Sequence, residues 1–77
     1  MDLKQILTDI ARAIVDNPDA VNVVENVDGD DVELVLTVAE SDTGMVIGRH
    51  GRIAKAIRQV MKAAANTENK RVTVEIK

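Results

Sequence analysis

The sequence predicts a single α+β domain with the element order αββααβ. Three observations carry that expectation. Apolar residues recur at helical spacing over residues 3–15 and again over 52–65. Two runs rich in β-branched residues flank an Asp-Gly-Asp turn, and one more alternating run follows the second long helix.

The first helix is predicted over Leu3–Val15, because Leu3, Ile6, Leu7, Ile10 and Ile14 fall on one face. Asp2 is placed to cap it, with Gln5 three residues on completing a capping-box-like pattern. Asn17-Pro18-Asp19 stops it, since proline disfavours helix at the residue before it. Strands follow at Val21–Val27 and Val32–Ala39, joined by the hairpin signal Asp28-Gly29-Asp30. In the second strand Val32, Leu34, Leu36 and Val38 share one face; Glu33, Val35, Thr37 and Ala39 share the other. Ser41 or Asp42 is expected to cap a short helix ending near Ile47. The third helix is predicted over Arg52–Ala65, with Ile53, Ile57, Val60, Met61 and Ala64 within an arc of about 100° and Arg52, Lys55, Arg58 and Lys62 opposite. A loop at Asn66–Asn69 leads to a last strand, Arg71–Ile76, with Val72, Val74 and Ile76 pointing inward.

Residues 1–77 are too few for two domains, and such a chain buries a modest share of its surface. There is no cysteine, so disulfides and thiolate metal sites are excluded. Apolar runs never exceed three or four residues, a pattern that predicts neither a signal peptide nor a membrane span and fits a cytoplasmic protein. Phe, Tyr and Trp are absent altogether. Base stacking on aromatic rings, the usual device of single-strand readers, is therefore closed to this chain. If it binds nucleic acid, main-chain and basic groups must hold the backbone while bases lie against aliphatic side chains.

Charge is unevenly spread. Thr43–Thr67 holds five Lys/Arg, His50 and no acid, whereas the other 52 residues hold five Lys/Arg and 13 acids. The acid-free block contains Gly48-Arg49-His50-Gly51 between two expected helices. Paired glycines permit a tight turn and close approach of another backbone. The start of the following helix aims N–H groups and partial positive charge into that turn. Arg49, His50 and Arg52 add donors suited to phosphate oxygens, and Ile47 and Ile53 flank the turn with aliphatic surface. Together they describe a phosphate clamp beside an apolar groove.

Val46-Ile47-Gly48-Arg49-His50-Gly51, continued by Arg52-Ile53-Ala54-Lys55-Ala56-Ile57-Arg58, resembles the core signature of KH RNA-binding domains. The element order is similar to the type II KH arrangement, and the whole chain resembles the small bacterial single-KH-domain RNA-binding proteins. That resemblance implies a three-stranded sheet with three helices packed on one face. It implies single-stranded RNA held between the helix-turn-helix and an edge strand, through Ile47, Gly48, Arg49, His50, Gly51, Arg52, Ile53 and Lys55. It further implies an RNA chaperone or post-transcriptional regulator rather than an enzyme, no cofactor, a homodimer, and pairing with a larger KH-containing protein.

Other readings compete. Gly48 and Gly51 could simply end one helix and begin the next. Ala56, Val60 and Ala63 lie along one edge of the third helix, where small side chains would admit a second helix; they read either as packing within the monomer or as a dimer interface. The latter motivates a protein-interaction adaptor as the alternative function. A nucleotide-handling enzyme is disfavoured, because the turn lacks the P-loop's length and its closing Gly-Lys-Ser/Thr and joins helix to helix. His50 stands alone without cysteine or a neighbouring carboxylate, and Asp28, Asp30 and Asp31 lack calcium-loop spacing, so no metal site is expected.

Overall fold

The computed structural model describes residues 2–77. It contains α1 (Leu3–Ile14), β1 (Asn22–Asp28), β2 (Asp31–Thr37), α2 (Thr43–Ile47), α3 (Arg52–Asn66) and β3 (Arg71–Ile76). Single 3₁₀ turns stand at Pro18–Ala20, Glu40–Asp42 and Arg49–Gly51. The order is αββααβ, as the periodicities predict.

The sheet runs β1-β2-β3. β1 and β2 are antiparallel, from Asn22 opposite Thr37 to Asp28 opposite Asp31. β2 and β3 are parallel, from Asp31 beside Arg71 to Leu36 beside Ile76. Parallel neighbours need a crossover connection; here it is α2, the glycine turn and α3. The basic tetrapeptide thus sits in the middle of the crossover.

Alternation along the strands aims one face at the helices. Val23, Val32, Leu34, Leu36 and Val74 meet Leu7 and Ala11 of α1, Val46 of α2 and Ile57, Met61 and Ala65 of α3 in one core. Leu7, Leu34, Leu36, Val46 and Met61 are fully buried, each side chain contributing about 1.5–3 kcal/mol. All three helices pack on that face, giving the type II KH architecture.

Several local expectations are corrected. The hairpin turn is the two residues Gly29–Asp30, with Asp28 and Asp31 as its closing pair, so β1 lies one residue later than expected and β2 begins at Asp31. Gly29 supplies the positive φ, +62°, that such a turn demands. Asp31 is not merely solvated: its carboxylate accepts from Arg71 Nε at 2.6 Å, and this contact raises the guanidinium above its ordinary value. Both groups are exposed, so the pair adds little to stability. Asp2 caps α1 by accepting from the Gln5 N–H, but Gln5 reaches forward to Asp9 instead of back, and only half the capping box forms.

Asp42 does not cap α2 through its side chain. It is 1% exposed, and its Oδ2 accepts from the backbone N–H and the Nδ2 of Asn17, at 2.9 and 3.0 Å. A buried carboxylate needs such donors, and they tie the α1–β1 connection to the start of α2. On α3 the buried line is Ala54, Ile57, Met61 and Ala65. Ile53 and Val60, which share the apolar arc, are 38% and 51% exposed. The buried line thus mixes two alanines with Ile57 and Met61, and the residues at the edge of the arc turn outward.

Candidate nucleic-acid interface

α2 ends at Ile47, and three of the next four residues then make unusual backbone choices. Gly48 has φ +75° and ψ 175°, His50 has φ +56° and ψ 26°, and Gly51 has φ +73° and ψ 15°. The first conformation is open essentially to glycine alone. At Gly48 a Cβ would press on Ile53 Cγ1 and lie 2.9 Å from both Ile53 Cβ and Ile53 N. The missing side chain is what lets α2 end against the first turn of α3. At Gly51 nothing lies within 4 Å of such a Cβ, so only the dihedral favours glycine there. The Gly51 N–H donates to the Gly48 carbonyl at 3.2 Å and closes the turn.

Ile47, Arg49, His50, Arg52, Ile53 and Lys55 are all exposed around Gly48 and Gly51. Among the described residues, the side chains of Arg49, His50, Arg52 and Lys55 make no hydrogen bond or ion pair. No side chain caps the N-terminus of α3. The turn therefore gathers uncompensated positive charge, a helix start and exposed aliphatic surface, in a block of chain that carries no acid. Such a surface is suited to hold an extended polyanion. Among the described residues there is no cluster of three or more potential metal ligands.

Arg58, opposite the apolar arc of α3, is exposed and also makes one contact with the sheet. Its Nε donates to the carbonyl of Val74 at 3.2 Å, bridging α3 to β3. The Arg71 and Lys77 N–H groups donate back toward β2, to Asp30 and Leu36 carbonyls. Alternation then turns the main-chain groups of Val72, Val74 and Ile76 to the free edge of the sheet. Arg58 thus stands on that edge. Its spacing from Arg52 and Lys55 put it on the basic face; the strand-edge contact had no signal in the sequence.

Ala56, Val60 and Ala63 are exposed. Ala56 and Val60 line a shallow apolar groove between α1 and α3, with Ile10, Ile14, Ile53 and Ile57. Ile53 belongs both to this groove and to the seat of Gly48.

Fold, crossover turn and exposed basic surface together are those of a KH domain, and the chain belongs to the family described as KhpA/KhpB, KH domain, whose profile matches residues 4–76. At the level of single proteins it is similar to the RNA-binding protein KhpA of Clostridium acetobutylicum, 57% identical over 74 residues covering 96% of this chain and 99% of the relative. The RNA-binding protein KhpA of Caldanaerobacter subterraneus subsp. tengcongensis is 53% identical over 72 residues, covering 94% and 96%. That of Bacillus subtilis is 40% identical over 74 residues, covering 96% and 91%. This is a family of binding domains and not of enzymes. Among the described residues no helix is long and apolar enough to cross a membrane.

Proposed function

We propose that this protein binds single-stranded RNA without catalysis, as a cytoplasmic RNA chaperone or post-transcriptional regulator. Gly48–Gly51 grips the phosphate backbone, with Arg49, His50, Arg52 and Lys55 as donors and Ile47 and Ile53 as aliphatic support for the bases. The observation that carries this reading is the positive-φ turn surrounded by basic side chains without partners. A phosphate chain supplies the acceptors those groups lack. The names of its relatives support RNA as the polyanion. One such turn grips about four nucleotides.

Fluorescence anisotropy with a pool of short labelled single-stranded RNAs tests the clamp across a salt series. Wild type is expected to bind with an affinity that falls steeply with salt, as counterion release requires. The Arg49→Asp/His50→Asp variant is expected to stay folded by circular dichroism and to lose that binding. Equal binding by both proteins would move the site elsewhere.

A second reading rests on the α1–α3 groove. Its exposed Val60, with Ala56 and Ala63 beside it, fits a helix from another chain. We propose that this face supports a homodimer or pairing with a larger KH-containing protein. A dimer would present two clamps and bind longer RNA by avidity.

A further inference from the structure

We infer that His50 makes the clamp sensitive to pH: single-stranded RNA is held more tightly as the medium acidifies, because strand and proton bind together at this imidazole. The inference rests on the clamp reading above and adds to it a regulation of that site.

His50 is the single histidine of the chain, and it lies inside the turn between Arg49 and Gly51. Its φ of +56° and ψ of 26° are left-handed, a region that Asn occupies as readily, so the backbone alone does not call for an imidazole. The side chain is exposed and, among the described residues, makes no hydrogen bond or ion pair. Both ring nitrogens are therefore open to a ligand.

The charges around it have one sign. The turn packs against α2 and α3. α2 carries no ionisable side chain, and those of α3 are Arg52, Lys55, Arg58 and Lys62. Within the turn Arg49 adds a further cation. The acids that bound this stretch of chain are Asp42 and Glu68. Asp42 is buried and accepts from Asn17, and Glu68 lies beyond the far end of α3. No acid on α2, the turn or α3 is there to pair with a protonated ring, and a bound strand brings anions to it.

Imidazole changes charge between about pH 5 and 8, and the form that prevails depends on what the ring faces. The neutral ring has one N–H donor and one acceptor; the protonated ring has two donors and a positive charge. A phosphodiester shows it only acceptors and carries a negative charge, so it favours the protonated form. By linkage the protonated protein favours the strand to the same degree. With one proton taken up, affinity rises as pH falls, by at most about tenfold per pH unit. Guanidinium and ammonium groups stay charged over that range. They set the strength of the hold and its salt dependence, and His50 grades it with pH.

The test is anisotropy with a labelled uridine octamer free of terminal phosphates, read from about pH 5.5 to pH 8 at fixed ionic strength with a dye insensitive to pH. Wild type is expected to bind about fivefold tighter at the acid end than at the basic end. His50→Asn accepts the left-handed backbone without a titrating ring and is expected to lose the slope. The NMR signal of the ring, unique in the chain, needs no variant. Its titration midpoint in wild type is expected to move to higher pH when the octamer is bound. A slope that persists in His50→Asn would place the proton elsewhere and overturn the inference. A flat wild-type profile with an unmoved midpoint, and binding still lost in Arg49→Asp/His50→Asp, would overturn it too and leave the clamp standing. Absence of binding at every pH would overturn both.

Discussion

Replacing Gly48 by alanine tests the geometry of the turn without any ligand. The φ of +75° with ψ of 175° costs a non-glycine residue about 1–3 kcal/mol. The new Cβ also meets Ile53 Cγ1, with Ile53 Cβ and the backbone N of Ile53 both 2.9 Å away. The backbone atom cannot swing aside as a side-chain end can, so overpacking adds about 1–3 kcal/mol. The sum, about 2–6 kcal/mol, is a large part of the roughly 4–12 kcal/mol a chain of this length commands. Thermal unfolding followed by circular dichroism is expected to show a drop of at least about 10 °C. Gly51→Ala, which meets nothing within 4 Å, carries only a left-handed penalty of about 1–2 kcal/mol and is expected to fall less. Gly44→Ala has open space inside a helix and no positive φ, and is expected to stabilise by about 0.4–1 kcal/mol. Ile53→Ala in the Gly48→Ala background removes the Cγ1 contact and is expected to recover part of the loss, a coupling a double-mutant cycle measures. A Gly48→Ala protein no less stable than Gly51→Ala would refute the claim that α2 and α3 meet through that missing side chain.

Asp42→Ala removes a buried acceptor shared by two Asn17 donors and is expected to cost about 1.5–3 kcal/mol in urea unfolding; a midpoint unchanged from wild type would contradict that account. Leu34→Ala, fully buried where β2 meets all three helices' core, is expected to cost about 2–5 kcal/mol by the same measurement. Val60→Glu places a charge on a side chain already half exposed, so the melting temperature is expected to stay within a few degrees while any self-association seen by analytical ultracentrifugation disappears; a variant that unfolds would return Val60 to the core. Raising salt is expected to weaken RNA binding far more than it lowers the melting temperature, because an exposed ion pair such as Arg71–Asp31 adds little to the fold.

What the sequence discloses here is periodicity and punctuation. Leu3, Leu7 and Ala11, or Val32, Leu34 and Leu36, announce their faces because one burial pattern repeats over several turns or alternations. Gly48 and Gly51 announce a turn because few residues occupy positive φ; His50, which shares that conformation, carries no such sign. The misplacement of Ile53 and Val60 shows the limit of an apolar arc. A helical wheel ranks residues by polarity and does not show where the partner elements lie, and so Ala54 and Ala65 took inner positions the arc had not marked. Asp42 looked like a local cap because its true partner is 25 residues away. The contact of Arg58 with Val74 depends on which edge of the sheet is left open, a property of strand order alone.

The parallel register of β2 and β3 holds partners 40 residues apart, while β1 and β2 meet across a two-residue turn. Closing the longer loop costs roughly 2–3 kcal/mol more in chain entropy than closing the hairpin. β3 is accordingly the strand whose pairing within the sheet is least local, and docking on β2 is rewarded only once the crossover is in place. On the proposed reading, the strand beside the clamp is therefore the one joined to the sheet across the longest loop. A ligand bridging the turn and the β3 edge would act as a clasp on that strand, and slowed amide exchange at Val72, Val74 and Ile76 would register its grip more directly than any change in the hairpin.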